Sequence, residues 1–142
     1  MKKKVRIGWR YRIVTVFGLM WSACGGFDYA LTHGRNAIYL SRFPEGLPAY
    51  LDTLPPWAEA VWAVGIWGAI LGSILMILRL RLAVPVFALA LIGLTTHIAF
   101  QTLIEPSPAM TSKAMLAFFG VSWAVLVYLL LYALRCWKRI LR

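Results

Sequence analysis

Charged residues are scarce in this sequence, and acidic residues are the scarcest. Only 14% of the 142 residues are charged, against about 25% in a typical soluble domain. A chain in which 61% of the residues are hydrophobic has too few polar side chains to keep its surface in water, which excludes a soluble globular domain. The same hydrophobicity excludes a disordered chain, despite the formal net charge of +10.

Cysteine and histidine are also rare. Two cysteines and two histidines provide neither a disulfide framework nor zinc-ligand spacing. A haem held by two histidines needs both at similar depth, whereas His33 falls at the end of a predicted span and His97 roughly 10 Å below it. No Ser-His-Asp set, phosphate-binding glycine loop or carboxylate pair at helical spacing indicates an enzyme. We therefore expect no catalysis, no metal and no cofactor.

What the sequence does contain is long apolar runs. A helix needs roughly 20 apolar residues to cross a bilayer core about 30 Å thick. Four runs meet this length: residues 13–32, 57–78, 82–104 and 114–134. Helices are expected because the backbone in lipid must satisfy its own hydrogen bonds. The prediction is an all-α polytopic membrane protein, a single domain over residues 1–142 built as a bundle of four transmembrane helices.

The positions of the fifteen cations predict the orientation of the bundle. Twelve fall on one side of the membrane: Lys2, Lys3, Lys4, Arg6, Arg10, Arg12, Arg79, Arg81, Arg135, Lys138, Arg139 and Arg142. Only Arg35, Arg42 and Lys113 fall on the other side. This asymmetry predicts that both termini are cytoplasmic and that the loop over residues 33–56 is exoplasmic. Because the cations follow helix ends, we expect contact with anionic lipid headgroups and no nucleic-acid binding.

The first span also has features of a cleaved export signal. Cations precede an apolar run, and Ser22-Ala23-Cys24 resembles the end of a lipoprotein processing site. The apolar run continues past Cys24, and position 21 carries Trp where such sites usually carry Leu. An uncleaved first span is therefore the expected form.

The exoplasmic loop carries a helical pattern of its own. Leu47, Tyr50, Leu51 and Leu54 recur at helical spacing, which predicts a short helix lying on the outer membrane surface. The alternative is an extended connector punctuated by prolines.

Polar residues inside the spans gather toward the exoplasmic side. The candidate site residues are Asp28, Arg35, Asn36, Glu59, His97 and Gln101. Ionisable groups within a membrane are costly and are candidates for function, and His97 and Gln101 lie on one stripe of the third span. Two interpretations remain open. The residues form a polar pocket for a polar solute, a cation or a proton, or Asp28 pairs with Arg35 or His97 and only fixes helix packing.

Small residues form smooth faces on the first two spans. The faces consist of Gly18, Ser22 and Gly26 on the first span and Gly65, Gly68 and Gly72 on the second. In lipid, such faces let helices approach closely. They predict contacts within one four-helix bundle or, alternatively, between protomers.

Several short motifs resemble those of a known family. They are Gly25-Gly26-Phe27-Asp28-Tyr29, Pro56-Trp57-Ala58, Gly65-Ile66-Trp67-Gly68, and Arg79 with Ala83-Val84. Together they resemble small four-span inner-membrane proteins of proteobacteria, which mostly lack an assigned activity and are sometimes labelled sugar transporters. The resemblance runs from about Trp21 to Trp123. It implies a bacterial inner membrane and transfers no catalytic residues.

These observations support hypotheses from different classes. The first is a small inner-membrane protein that acts through helix and lipid contacts as an accessory or regulatory subunit. Its partners are membrane lipids, further copies of the chain or a larger membrane complex. The second is a homo-oligomeric transporter or channel for a small polar solute or cation that uses the exoplasmic pocket. A metal or haem redox protein is a third alternative.

Overall fold

The computed structural model describes residues 8–138, which form helices and turns without any strand. Four helices are long and apolar enough to cross a membrane. They are α1 (Trp9–His33), α4 (Pro56–Ile77), α5 (Ala83–Ala99, continued by a π-helical turn over Phe100–Ile104) and α6 (Lys113–Cys136). The short helices α2 (Ala37–Leu40) and α3 (Leu47–Asp52) lie between α1 and α4. The prediction of an all-α protein is confirmed for the described residues, and so is the prediction of four helices long and apolar enough to span a membrane. Six of the twelve cations on the predicted cytoplasmic side lie outside the described residues: Lys2, Lys3, Lys4, Arg6, Arg139 and Arg142.

The helices pack in the order α1, α4, α5 and α6, with α4 and α5 in the most extensive contact. α1 packs mainly on α4, and α6 packs mainly on α5, so α1 and α6 touch only slightly. We call the end of the bundle that carries α2 and α3 the loop end, and the end that carries the α4–α5 turn the hairpin end.

α1 begins before the predicted apolar run because its first turn is anchored in the protein. Tyr11 is buried, and its hydroxyl donates a hydrogen bond to the backbone carbonyl of Met76 on α4. The Tyr11 ring also packs against Tyr132 of α6, with 6.2 Å between ring centroids. These contacts hold α1, α4 and α6 together at the hairpin end.

α4 and α5 approach each other closely where Gly65 and Gly93 face each other. A Cβ atom on Gly93 would lie 2.7 Å from the carbonyl oxygen of Val61 and 3.0 Å from the backbone nitrogen of Gly65. Both atoms belong to the backbone, so neither can move aside as a side chain does. Glycine at position 93 therefore sets the distance between the two helices.

The faces of small residues on α1 and α4 make contacts inside this single chain. Gly65, Gly68 and Gly72 face Leu94, Ala90 and Phe87 of α5, whereas Gly26 faces Ile70 of α4 and Gly18 faces Leu129 of α6. The hydroxyls of Ser22 and Ser73 lie 3.4 Å apart between α1 and α4. Gly120 on α6, by contrast, has nothing within 4 Å of an added Cβ.

α1 and α4 both end at an arginine in the left-handed conformation. Arg35 has a φ of 52° and Arg79 a φ of 65°, at a position where helices usually place glycine. After α1, the amide of Asn36 donates to the carbonyl of Leu31 at 3.0 Å, which closes the turn. The turn brings α2 beside the end of α1, and the matching turn after α4 starts the antiparallel α5.

α3 lies where the spacing of leucines predicts a helix, but its apolar face is buried against protein. Leu47 and Leu51 pack on Ala109 and Met110, in the turn between α5 and α6. The expectation was that this face would be buried on the membrane surface. The second loop supplies an apolar partner instead, and the Tyr50 hydroxyl donates to the carbonyl of Glu105 at 3.1 Å. We call residues 37–52, which contain α2 and α3, the cap.

Candidate functional site

A cavity of about 700 Å³ lies in the half of the bundle nearest the loop end. Its walls are formed by α1, α4, α5 with the π-helical turn, and α6, and the cap contributes to its lining. Ser22, Leu126 and Leu129 line it where α1 and α6 converge, and these residues form its floor. The volume lies within the ~300–1,000 Å³ range typical of small-molecule sites.

His97 on α5 is fixed in the cavity wall by two contacts. Its ring stacks on Trp62 of α4, with 5.0 Å between centroids and 7° between planes. It also makes a hydrogen bond with the backbone of Ala58, while its Nδ1 has no partner among the described residues. The bond to Ala58 is therefore made by Nε2–H, and in the neutral imidazole Nδ1 is left as a hydrogen-bond acceptor. His97 is only 3% exposed.

Gln101 lies one turn further along the same wall, in the π-helical turn. Its side chain is buried, and its Oε1 also has no partner within residues 8–138. Leaving a buried polar atom without a hydrogen bond costs about 1–3 kcal/mol, so native proteins rarely retain such atoms. Both residues line the cavity, and a hydrogen-bond donor placed there would satisfy them.

Asp28 lines the cavity from the α1 side and is held by the cap. It accepts a hydrogen bond from the hydroxyl of Tyr39 on α2. Burial raises the pKa of Tyr39, and the hydrogen bond to Asp28 raises it further. The phenol therefore keeps its proton at neutral pH and remains the donor to the carboxylate.

The other three predicted site residues lie outside the cavity lining. The Arg35 guanidinium pairs with Asp52 at 2.9 Å and with Glu59 at 4.0 Å. Asn36 accepts a hydrogen bond from the amide of Tyr39 at 2.9 Å and so begins α2. The expected pairing of Asp28 with Arg35 or His97 is thus replaced by its bond to Tyr39. Arg35, Asn36 and Glu59 organise the loop end around the site and do not form its wall.

Two residues of the site, Tyr39 and Trp62, were not predicted as members. Trp62 supports the ring of His97 by stacking on it. Ala58, Trp62 and Gly65 are spaced i, i+4 and i+7, which marks one face of α4 and could have placed Trp62 beside the third span. Tyr39 carried no such signal, because its contact with Asp28 depends on the turn after α1.

The cavity has a mouth at one side of the bundle. The exposed residues among its described lining are Cys24 on α1, Arg42 and Pro44 in the cap, and Ala114 and Phe118 on α6. They follow the gap between α1 and α6, the two helices that scarcely touch.

Within residues 8–138, no group of three or more His, Cys, Asp and Glu side chains is placed to hold a metal ion. Comparisons of the chain with protein-family models, with curated proteins and with solved structures give no match.

Proposed function

We propose that this multi-pass membrane protein binds an amphiphilic molecule in the cavity between its four spans. The observation that carries this proposal is a pair of buried acceptors on the cavity wall, His97 Nδ1 and Gln101 Oε1, which have no partner in the part of the chain that the structure describes. A ligand group with hydrogen-bond donors satisfies them, and the apolar side chains around them contact the rest of the ligand. Pockets with few polar groups in a mostly apolar wall are typical of small-molecule sites.

Binding agrees better with the geometry than passage of a solute through one protomer. At the floor, an added Cβ on Gly18 would lie 2.8 Å from Leu129, so α1 and α6 leave no gap there. In this proposal the protein acts through binding contacts, as in the accessory or regulatory hypothesis. The bound molecule makes one of those contacts.

The binding test uses glycerol monooctanoate, an amphiphile with two hydroxyl donors, and purified protein in detergent. We expect saturable binding to the wild type and about tenfold weaker binding to Gln101→Leu, because one hydrogen bond of roughly 1.5 kcal/mol is lost. The same variant should resist unfolding better without ligand, since it removes a buried acceptor that has no partner.

The matched control is Thr96→Val, which removes an exposed hydroxyl of α5 that bonds only to its own helix, at Ile92. Its affinity should stay within about twofold of the wild type, well below the effect of a lost hydrogen bond. Absence of wild-type binding, or unchanged binding to Gln101→Leu, would contradict the proposal.

We further propose that the loop end faces the exoplasmic side of a bacterial inner membrane, with both termini in the cytoplasm. The cation asymmetry of twelve against three supports this orientation. In a background without native cysteines, Ser41→Cys should react with a membrane-impermeant maleimide in intact cells. Leu80→Cys, in the α4–α5 turn, should react only after permeabilisation. The reverse pattern would refute the orientation.

A further inference from the structure

We propose that the ligand is a neutral acyl glycerolipid with free hydroxyls, which enters sideways from the bilayer leaflet at the loop end through the gap between α1 and α6. This inference rests on the proposed binding function and names the ligand class and its route. It follows from three features of the cavity: what covers it, where it opens and which polar groups line it.

The cap and the second loop cover the cavity on the side that faces water at the loop end. Leu47 and Leu51 of the cap line the cavity and are almost completely buried, at 3% and 2% exposure. They pack on Ala109 and Met110. A water-soluble ligand would have to displace this apolar contact to enter.

The mouth has a water-facing edge at Arg42 and Pro44 of the cap, but its sides on α1 and α6 reach the depth of the lipid. Cys24 lies on α1 nine positions before the helix ends at His33, which is ~14 Å along the axis at 1.5 Å per residue. Phe118 borders the mouth from α6 and is 46% exposed. Both helices are long and apolar enough to span a membrane, so an opening at the depth of Cys24 meets acyl chains and not water.

The polar lining selects a neutral donor over a charged headgroup. Two buried polar atoms of the lining, His97 Nδ1 and Gln101 Oε1, are acceptors without partners among the described residues, and Asp28 lines the cavity from α1. An anionic head placed against His97 and Gln101 would meet this carboxylate and two acceptors, whereas hydroxyls donate to all of them. The cation of the described lining, Arg42, is exposed at the mouth and is screened there by water. Asp28 already accepts from Tyr39, so a cationic head would find its counter-charge shared and would be desolvated at high cost. The hydroxyls of an acyl glycerol donate hydrogen bonds and carry no charge, so they fit this lining.

The test follows the capture of a photoactivatable monooleoylglycerol by the protein in lipid nanodiscs. Cross-linked peptides are identified by mass spectrometry at increasing times after the probe is added to the bilayer. In the wild type, we expect cross-links on the α1 and α6 residues that line the cavity. Unlabelled monooleoylglycerol should compete for them, and glycerol added from water should not.

Matched variants at the mouth test the route. Cys24→Trp narrows the opening without touching His97 or Gln101, and it should slow capture at least tenfold. Ala23→Trp places the same side chain on an exposed neighbour outside the cavity lining, and its capture rate should stay within twofold. Phe118→Ala widens the mouth and should speed capture. All three positions are exposed, so the fold should tolerate them, and unfolding curves check this.

Each contrary result overturns a defined part of the inference. Equal competition by glycerol, or unchanged capture by Cys24→Trp, would overturn lateral entry while leaving the binding of glycerol monooctanoate intact. Two copies of the chain in each nanodisc, without probe cross-links on the α1 and α6 cavity residues, would show that another protomer covers the gap, which also overturns it. Failure of both probes to bind the wild type would overturn the proposed function as well.

Discussion

Replacing Gly93 with alanine is expected to destabilise the bundle by about 2–3 kcal/mol. The new methyl group would lie 2.7 Å from the carbonyl oxygen of Val61 and 3.0 Å from the nitrogen of Gly65, so α4 and α5 must separate. Overpacking of a well-packed interior typically costs 1–3 kcal/mol. The cost should fall at the upper end of this range because both obstructing atoms are backbone. Separation of the α4–α5 pair also disturbs the stacking of Trp62 on His97.

The measurement is an unfolding titration with sodium dodecyl sulfate in mixed micelles, followed by helicity and tryptophan fluorescence. Gly120→Ala is the matched control, because it makes the same chemical change where nothing lies within 4 Å. The intrinsic helix propensity of alanine should leave that variant unchanged or more stable by up to about 1 kcal/mol. Equal loss of stability in both variants, or none in Gly93→Ala, would contradict the assignment of Gly93 as the contact that sets the helix spacing.

The long elements of this fold were predictable because a single physical requirement specifies them. A run of about 20 apolar residues must be a helix in lipid, and the four runs became α1, α4, α5 and α6. The helix boundaries depend on more than hydrophobicity. α1 begins at Trp9 and not at residue 13, because Tyr11 finds a hydrogen-bond partner on α4. The π-helical turn at Phe100–Ile104 had no signal in the sequence pattern.

The candidate site was predictable in its residue types but not in its pairings. His97 and Gln101 share one stripe of α5, and their common position on the cavity wall follows from helical spacing alone. The partner of Asp28 depends on the left-handed turn at Arg35, which brings Tyr39 to the carboxylate. Arg35 itself pairs with Asp52, seventeen residues away. The partner of each side chain depends on tertiary geometry. Charge and proximity along the chain therefore predicted partners for Asp28 that the structure does not show.

Truncating Leu51 to alanine is expected to expose the cavity to water from the loop end. Leu51 is 2% exposed and packs in the cluster that joins the cap to the second loop. Removing a buried leucine side chain costs about 2–5 kcal/mol. A loss of about 2.1–2.8 kcal/mol in cap docking raises the fraction of undocked cap roughly 30-fold to 100-fold, since each 1.4 kcal/mol is a factor of ten.

The native Cys24 reports this opening, because it lines the cavity and the other cysteine can be removed as Cys136→Ser. In the wild type, a charged methanethiosulfonate should react slowly with Cys24, since lipid covers the mouth and the cap covers the aqueous side. When opening is fast relative to modification, the rate follows the population of the open form, so Leu51→Ala should increase it by the same 30-fold to 100-fold.

Ile38→Ala is the control for the cap, because it truncates an exposed apolar side chain of α2 that is 77% exposed. Its labelling rate should match the wild type if cap docking depends on buried contacts.

Fast labelling of the wild type would mean that water already reaches the cavity, and it would count against entry from the bilayer. Equal acceleration in both variants would mean that the cap is held by something other than the Leu47 and Leu51 face. Slow labelling of the wild type and fast labelling of Leu51→Ala alone would show that the cap keeps water out of the cavity and that lipid covers the mouth. The route of the ligand can then be tested at Cys24 and Phe118 independently of the cap.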